Sequence, residues 1–302
     1  MSTEPRIDLH THSSVSDGTQ TPTELVRAAA AAGIDVLGLT DHDTARGWDE
    51  AGRAAAEAGV ALVRGMEIST RYGGPGGPGV HLLAYLLDPT HPGLDAELDR
   101  VLGGRGGRVP AMVEALRGLG IRITVADVEA QATDSVATGR PHVADALVAL
   151  GVVGHRDQAF AEYLQEGRPA YVGRHAADLR TMVGLVADAG GVAVVAHPWG
   201  RVDPARLDGA ALAGLRDAGL TGLEVDHQDH TDAQRRELRA IAADLDLVVT
   251  GSSDHHGTGK TDHDLGCHTT APAELDRLLG RAAAAAAASG RAVPPGPGSR
   301  PV

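Results

Sequence analysis

Short runs of apolar residues alternate along this chain with stretches whose apolar positions recur at helical spacing. Seven runs are nearly continuous and bounded by turn residues: 6–9, 35–40, 61–66, 80–86, 192–196, 222–225 and 247–252. Unbroken apolarity over so few positions marks strands covered on both faces, as in parallel sheets. Helical stretches separate most of them. The first opens at Thr21-Pro22, a hydroxyl cap followed by proline in the first turn, and closes at Gly33. Repeated strand-then-helix order predicts an α/β fold with a parallel sheet or barrel.

The rhythm lapses between positions 88 and 173. Helical patterning continues there without a strand, and Thr124 to Asp127 has the form of a capping box. The expected division is a barrel formed by 1–87 and 174–290, a helical insertion over 88–173 that caps the substrate side, and a disordered tail over 291–302. The glycine-rich run 73–79 reads as a loop joining strands. If it closes a hairpin, strand 80–86 runs against its neighbours.

Ionisable residues collect at the strand ends. His10 and His12 close the first run, Asp41 and His42 follow the second, and Glu67 ends the third. His81 begins the fourth, His197 ends the fifth, Glu224 lies in the sixth, and Asp254 and His256 follow the seventh. Parallel barrel strands all finish on one face, where barrel enzymes build their sites. The i, i+2 spacing of His10 and His12, repeated by Asp254 and His256, points both members of each pair the same way. A lone histidine near a strand end is ordinarily a satisfied polar residue, and His91, His155, His175, His263 and His268 stay in that class. Burying the strand-end groups together without a ligand would cost several kcal/mol each. Imidazoles and carboxylates without thiolates suit zinc, manganese or iron. Asp8, Asp41, Asp43 and Glu224 are candidate acceptors for the second imidazole nitrogens.

Composition narrows the function further. Net charge is −13 with no Lys/Arg-rich block, which argues against duplex DNA as a partner. Aromatic residues make up 2% of the chain, too few to stack single-stranded bases along a groove. Cys267 is the sole cysteine, so neither an intrachain disulfide nor a cysteine zinc site forms. The polar N-terminus and the lack of about 18 consecutive apolar residues predict a cytoplasmic protein without a membrane partner.

The ordered set H-x-H, D-G, T-D-H-D, G-x-E-I-S, H-L-L, A-H-P and S-D-x-H resembles the PHP (polymerase and histidinol phosphatase) superfamily from about Ile7 to Gly257. Gly139-Arg140-Pro141-His142 within the insertion is similar to the stand-alone phosphoesterases of nucleoside 3′,5′-bisphosphates, nucleoside monophosphates or short RNA 5′ ends. The resemblance implies a distorted (β/α)7 barrel holding two or three divalent ions (Mn2+, Zn2+ or Fe2+). It puts His10, His12, Glu67 and Asp254 on one metal. Glu67, His81 and His197 take a second, and Asp17, His42 and His256 a third. Asp17 stands where some relatives use histidine. The resemblance makes His10, His12, Asp17, His42, Glu67, Asp254 and His256 catalytic through the metals they hold. It makes Arg140 and His142 phosphate contacts, although Arg140 also reads as an arginine paired within the insertion. His227 and His230 follow the sixth strand as candidate pocket residues.

The expected reaction is hydrolysis of nucleotide phosphate monoesters by a hydroxide bridging the metals, with 5′-to-3′ trimming of short RNA as a variant. The partner is then a small phosphorylated substrate. A histidinol-phosphate phosphatase is the nearest other enzyme, and a non-catalytic metal-binding structural module is the reading from another class.

Overall fold

The apolar runs form strands with both faces covered. In the computed structural model, which describes residues 4–74, 76–132, 135–173, 175–200 and 202–292, the order begins β1 (Ile7–Thr11), α1 (Pro22–Ala31), β2 (Val36–Leu39), α2 (Trp48–Ala58), β3 (Ala61–Arg71) and β4 (Gly79–Tyr85). Helices α3 (Pro92–Gly106), α4 (Val109–Gly118), α5 (Val125–Glu129), α6 (Arg140–Ala149) and α7 (Arg156–Ala159) follow, the last continuing into a π-helical turn over Phe160–Leu164. Then come β5 (Ala177–Asp178), α8 (Leu179–Asp188), β6 (Val192–Ala196), α9 (Gly209–Arg216), β7 (Leu220–Asp226), α10 (Asp232–Asp244), β8 (Val248–Gly251) and α11 (Pro272–Ala288). Every residue of β1, β2 and β6 is buried.

The strands make one curled sheet in the order β1-β2-β3-β4-β6-β7-β8, with the two-residue β5 added to β3. All pairings are parallel except those of β4, which runs antiparallel to β3 and β6. The hairpin expected across the glycine-rich run is therefore present, although residue 75 of that run and the tail from 293 lie outside the described residues. An antiparallel strand starts where its parallel neighbours finish. Register puts His81 opposite both Ser69 and Ala196, at the rim where β6 ends.

Two strands differ from expectation. β3 continues to Arg71 because the hairpin partner supplies hydrogen bonds after β2 has ended, so Glu67 lies inside a strand rather than at its tip. β5 was invisible to pattern because two residues carry no periodicity. Local punctuation behaves as read: Thr21 Oγ accepts the Glu24 N–H, Gly33 adopts φ 72°, and Thr124 and Asp127 cap α5 reciprocally. Gly38 is required by close approach, since a Cβ there would lie 2.2 Å from the Leu9 carbonyl oxygen.

Between the sheet edges β1 and β8 no ladder forms among the described residues. The seam is joined by the single bridge Thr11–His255, by the Thr270 N–H donating to the Ile7 carbonyl (2.8 Å), and by Asp8. The Asp8 carboxylate accepts the N–H groups of Ser253 (3.0 Å) and Gly266 (2.9 Å).

The helical middle has its own apolar cluster, from Val109 to Ala170, including Met112, Leu116, Val143, Leu147 and Leu164. Helix α3, expected in the insertion, instead contributes Leu94, Leu98 and Val101 to the core beneath the sheet. Arg156 ties the two parts together. Its guanidinium forks onto Asp145 (2.8 and 2.6 Å) and donates to the Asp17 carbonyl (3.0 Å). Among the described residues, no helix is long and apolar enough to cross a membrane.

Candidate metal centre

One carboxylate, held inside β3 and 1% exposed, organises the sheet rim. Glu67 Oε1 lies 2.7 Å from His81 Nδ1, 3.2 Å from His197 Nε2 and 3.5 Å from His10 Nε2. Its Oε2 lies 3.1 Å from His42 Nδ1 and 3.3 Å from His12 Nε2. Five imidazoles from β1, β4 and the positions just past β1, β2 and β6 thus converge on it. Asp254, just past β8, places Oδ1 3.4 Å from His10 Nε2 and 3.5 Å from His12 Nε2. Asp17, in the loop after β1, faces His12, His42 and His256 at 3.6, 3.6 and 3.4 Å. All nine residues that the family resemblance put on metals are in one place, and none has a side chain more than 18% exposed.

The orientation of these groups fits a cation. His10 donates its Nδ1–H to Glu224 Oε1 (3.0 Å), so its Nε2 presents a lone pair 3.1 Å from His12 Nε2. His256 donates Nδ1–H to the Asp254 carbonyl (2.8 Å), so its bare Nε2 faces the Asp17 carboxylate. Two ring nitrogens facing one another at 3.1 Å need a positive charge between them, whether a proton or a metal ion. Groups of ligand atoms within 4.8 Å of one another are His12/Asp17/His42/His256, His10/His12/Glu67 and His42/Glu67/His81. The cluster is suited to metal binding.

Charge coupling says the same. Burial would raise the pKa of Glu67, but His81, His42 and His10 hold it well below the usual range. Against the same burial, Lys260 and His10 hold Asp254 down, as His42 and His256 do Asp17. Burial pulls His12 down, yet hydrogen bonds to Asp254 and Glu67 lift it to about 9. His256, buried beside His12, falls to about 4. The carboxylates keep their charge at neutral pH and demand cations. The backbone is strained here as well, with non-glycine φ of 28° at His197, 53° at Asp254 and 57° at Asp43, each costing about 1–3 kcal/mol.

The other expected residues lie at the edge of this cluster or away from it. The Arg140 guanidinium packs over Phe160 (5.7 Å) and Tyr171 (5.5 Å) and donates to the Leu164 carbonyl, within the helical part. His142 accepts the Gly139 N–H at the start of α6 and lines a cavity of ≈ 420 Å³ with Ser14, Asp17, Thr19, Asp145 and Arg156. His227 is fully buried beside the cluster, its Nε2 3.4 Å from Asp254 Oδ2. His230 is not a pocket residue. Its Nδ1–H goes to the Val225 carbonyl and its Nε2 accepts the Trp199 N–H. His255 spends both nitrogens on the His263 carbonyl and Gln20. Asp8 and Asp41 do not orient imidazoles as expected: Asp8 closes the seam, and Asp41 takes the Ser13 N–H and the Ser13 and Ser16 hydroxyls.

Sequence reasoning missed Lys260, whose Nζ lies 2.5 Å from Asp254 Oδ2, and it missed Asp229 and His263, which group with the expected His227. Only their nearness to S-D-x-H and to the end of β7 could have signalled them. Glu224 is the acceptor that sequence did find. It takes both the His10 Nδ1–H and the His197 N–H (2.8 Å). Glu224→Gln is expected to weaken metal binding about 10- to 100-fold while leaving the fold intact, read by metal titration with circular dichroism as control. Unchanged affinity would show that His10 needs no such orientation.

Residues 8–101 match the PHP domain family. The chain is 37% identical over 251 residues to a 5′-3′ exoribonuclease of Haemophilus influenzae, covering 83% of this chain and 90% of that one. It is 36% identical over 264 residues to a 3′,5′-nucleoside bisphosphate phosphatase of Chromobacterium violaceum, covering 87% and 91%. A solved structure from Bifidobacterium adolescentis, described as a metal-dependent phosphoesterase, superposes with a TM-score of 0.84 at 38% identity over 92% of this chain and 98% of that one.

Proposed function

The chain belongs to the PHP family, and from that premise we propose that it is a metal-dependent phosphoesterase cleaving phosphate monoesters of nucleotides. Nucleoside 3′,5′-bisphosphates and monophosphates are the proposed substrates, and 5′-to-3′ trimming of short RNA would use the same chemistry. The observation that carries this reading is the convergence of Asp17, Glu67 and Asp254 with six imidazoles at one sheet rim. The relatives with a bisphosphate phosphatase or exoribonuclease activity, matched over most of both chains, support the substrate class.

His10, His12, Glu67 and Asp254 are the proposed ligands of one ion. Glu67, His81 and His197 would hold a second, and Asp17, His42 and His256 a third. Bound Mn2+, Zn2+ or Fe2+ would supply Lewis acidity and bring the pKa of water toward neutrality. The remaining work falls to the chain. Water adds to phosphorus, the nucleoside hydroxyl leaves with a proton, and inorganic phosphate is released. Glu224 keeps His10 in the tautomer that presents Nε2 inward. The Asp229 N–H donates to His227 Nδ1 (3.0 Å), which leaves the proton of the neutral ring on Nε2, beside Asp254. His227 is thereby prepared to donate toward substrate. The cavity between the Ser14–Thr19 loop and α6 opens beside Asp17 and has the volume of ordinary ligand pockets (about 300–1,000 Å³), which supports placing the nucleoside there.

Phosphate release with manganese from adenosine 3′,5′-bisphosphate, AMP and histidinol phosphate, assayed in parallel, tests the reading. Nucleotides are expected to react at least about tenfold faster than histidinol phosphate (a difference of about 1.4 kcal/mol). The reverse order favours the histidinol-phosphate phosphatase. Metal uptake without hydrolysis of any of the three favours a structural module.

A further inference from the structure

Lys260 is the one lysine in a chain of 302 residues whose other cationic side chains are arginines. It lies in the loop after β8 that also carries His256 and His263. Its ammonium sits 2.5 Å from Asp254 Oδ2, while Oδ1 of the same carboxylate faces His10 and His12. Asp254 is thus shared, with one oxygen turned to the candidate metal ligands and the other to Lys260 and the His227 Nε2–H. Lys260 also reaches solvent: its side chain is 16% exposed, against 0–2% for His10, His12, Glu67 and Asp254.

Arg140 and Arg156 are engaged differently. Arg140 is packed on two aromatic rings, and Arg156 is forked onto Asp145. A guanidinium fork fixed in two directions does not change partners easily. An ammonium on a flexible stem does, and it binds phosphate as a point charge. A divalent ion on the Oδ1 side would draw on the charge of Asp254 and loosen its hold on the ammonium. An arriving phosphate monoester offers oxygens carrying about two negative charges.

We propose that Lys260 binds the phosphoryl group of the substrate, moving onto it from Asp254 once divalent ions share that carboxylate. This deepens the phosphoesterase reading and rests on it for the identity of the substrate. It gives the site a cation supplied by the chain itself, next to the His227 donor.

The single lysine makes the test direct. Reductive methylation with 13C-formaldehyde labels Lys260 and the terminal amine and preserves the positive charge. In the zinc-loaded protein, the Lys260 resonance is expected to shift saturably as inorganic phosphate is added. Lys260→Met is expected to raise KM for AMP about 10- to 100-fold, the range for losing a hydrogen bond to a charged group. Bound metal per chain should be unchanged, and Lys260→Arg should recover part of the loss. A resonance unmoved by phosphate in wild-type protein that hydrolyses AMP overturns the proposal and leaves the phosphoesterase reading standing. A resonance that shifts in protein inactive on every nucleotide supports the phosphate contact and removes the nucleotide reading. A KM within twofold of wild type in Lys260→Met overturns the contact whatever the resonance does.

Discussion

Replacing Glu67 by glutamine is expected to lower phosphate release at least about a thousandfold and to remove most of the bound metal. Mutations at single electrostatic contacts in active sites cost about 10²–10³ in rate. Glu67 stands above that range because two oxygens serve five imidazoles. Glutamine keeps the volume but carries no charge, and its amide nitrogen turns a donor toward ring nitrogens that require an acceptor or a shared ion. Metal content by mass spectrometry and phosphate release should therefore fall together. A Glu67→Gln protein that keeps both would end the metal-centre assignment. Loss of activity with full metal content would confine the role of Glu67 to chemistry.

Removing the ions with a chelator is expected to lower the melting temperature by roughly 10 °C, reversibly on adding manganese or zinc back. A ligand present at a thousand times its dissociation constant stabilises the native state by about 4 kcal/mol. For domains of 150–250 residues each kcal/mol moves the midpoint by about 2–4 °C, and for this longer chain by somewhat less. The effect would have a structural source, since the candidate ligands come from β1, β3, β4 and the loops after β1, β2, β6 and β8, and an ion would join all of these segments at one point. Calorimetry with and without chelator measures it. An unchanged midpoint would mean that these side chains satisfy one another without metal.

Much of this site was legible in the chain because strand ends are punctuated. An apolar run ending in His-Thr-His or Ser-Asp-His-His states both where the strand stops and what chemistry stands there. Parallel order then implies a common face. The hairpin was legible for the same reason, through the glycines between 73 and 79. Four things were not. Glu67 was placed at a strand tip because pattern cannot show that β4 prolongs pairing past Met66. Proximity in sequence to His10 and His42 hides which way the Asp8 and Asp41 side chains turn; their carboxylates serve backbone and hydroxyl groups rather than imidazoles. Arg140 follows a glycine in a family-like motif, yet Phe160 and Tyr171, distant in sequence, determine where its guanidinium rests. Lys260 lay in a loop without periodicity, and single occurrence is not itself a motif.

The incomplete seam between β1 and β8 gives the candidate metal centre a second meaning. His10 and His12 belong to the first strand of the fold, and Asp254 and His256 follow the last. An ion gripped by both would therefore clasp the head of the sheet to its foot where backbone pairing has nearly lapsed. Occupancy would then reinforce a closure that the Thr11–His255 bridge and the Asp8 carboxylate already make, and loss of the ion would loosen this edge of the sheet before any other.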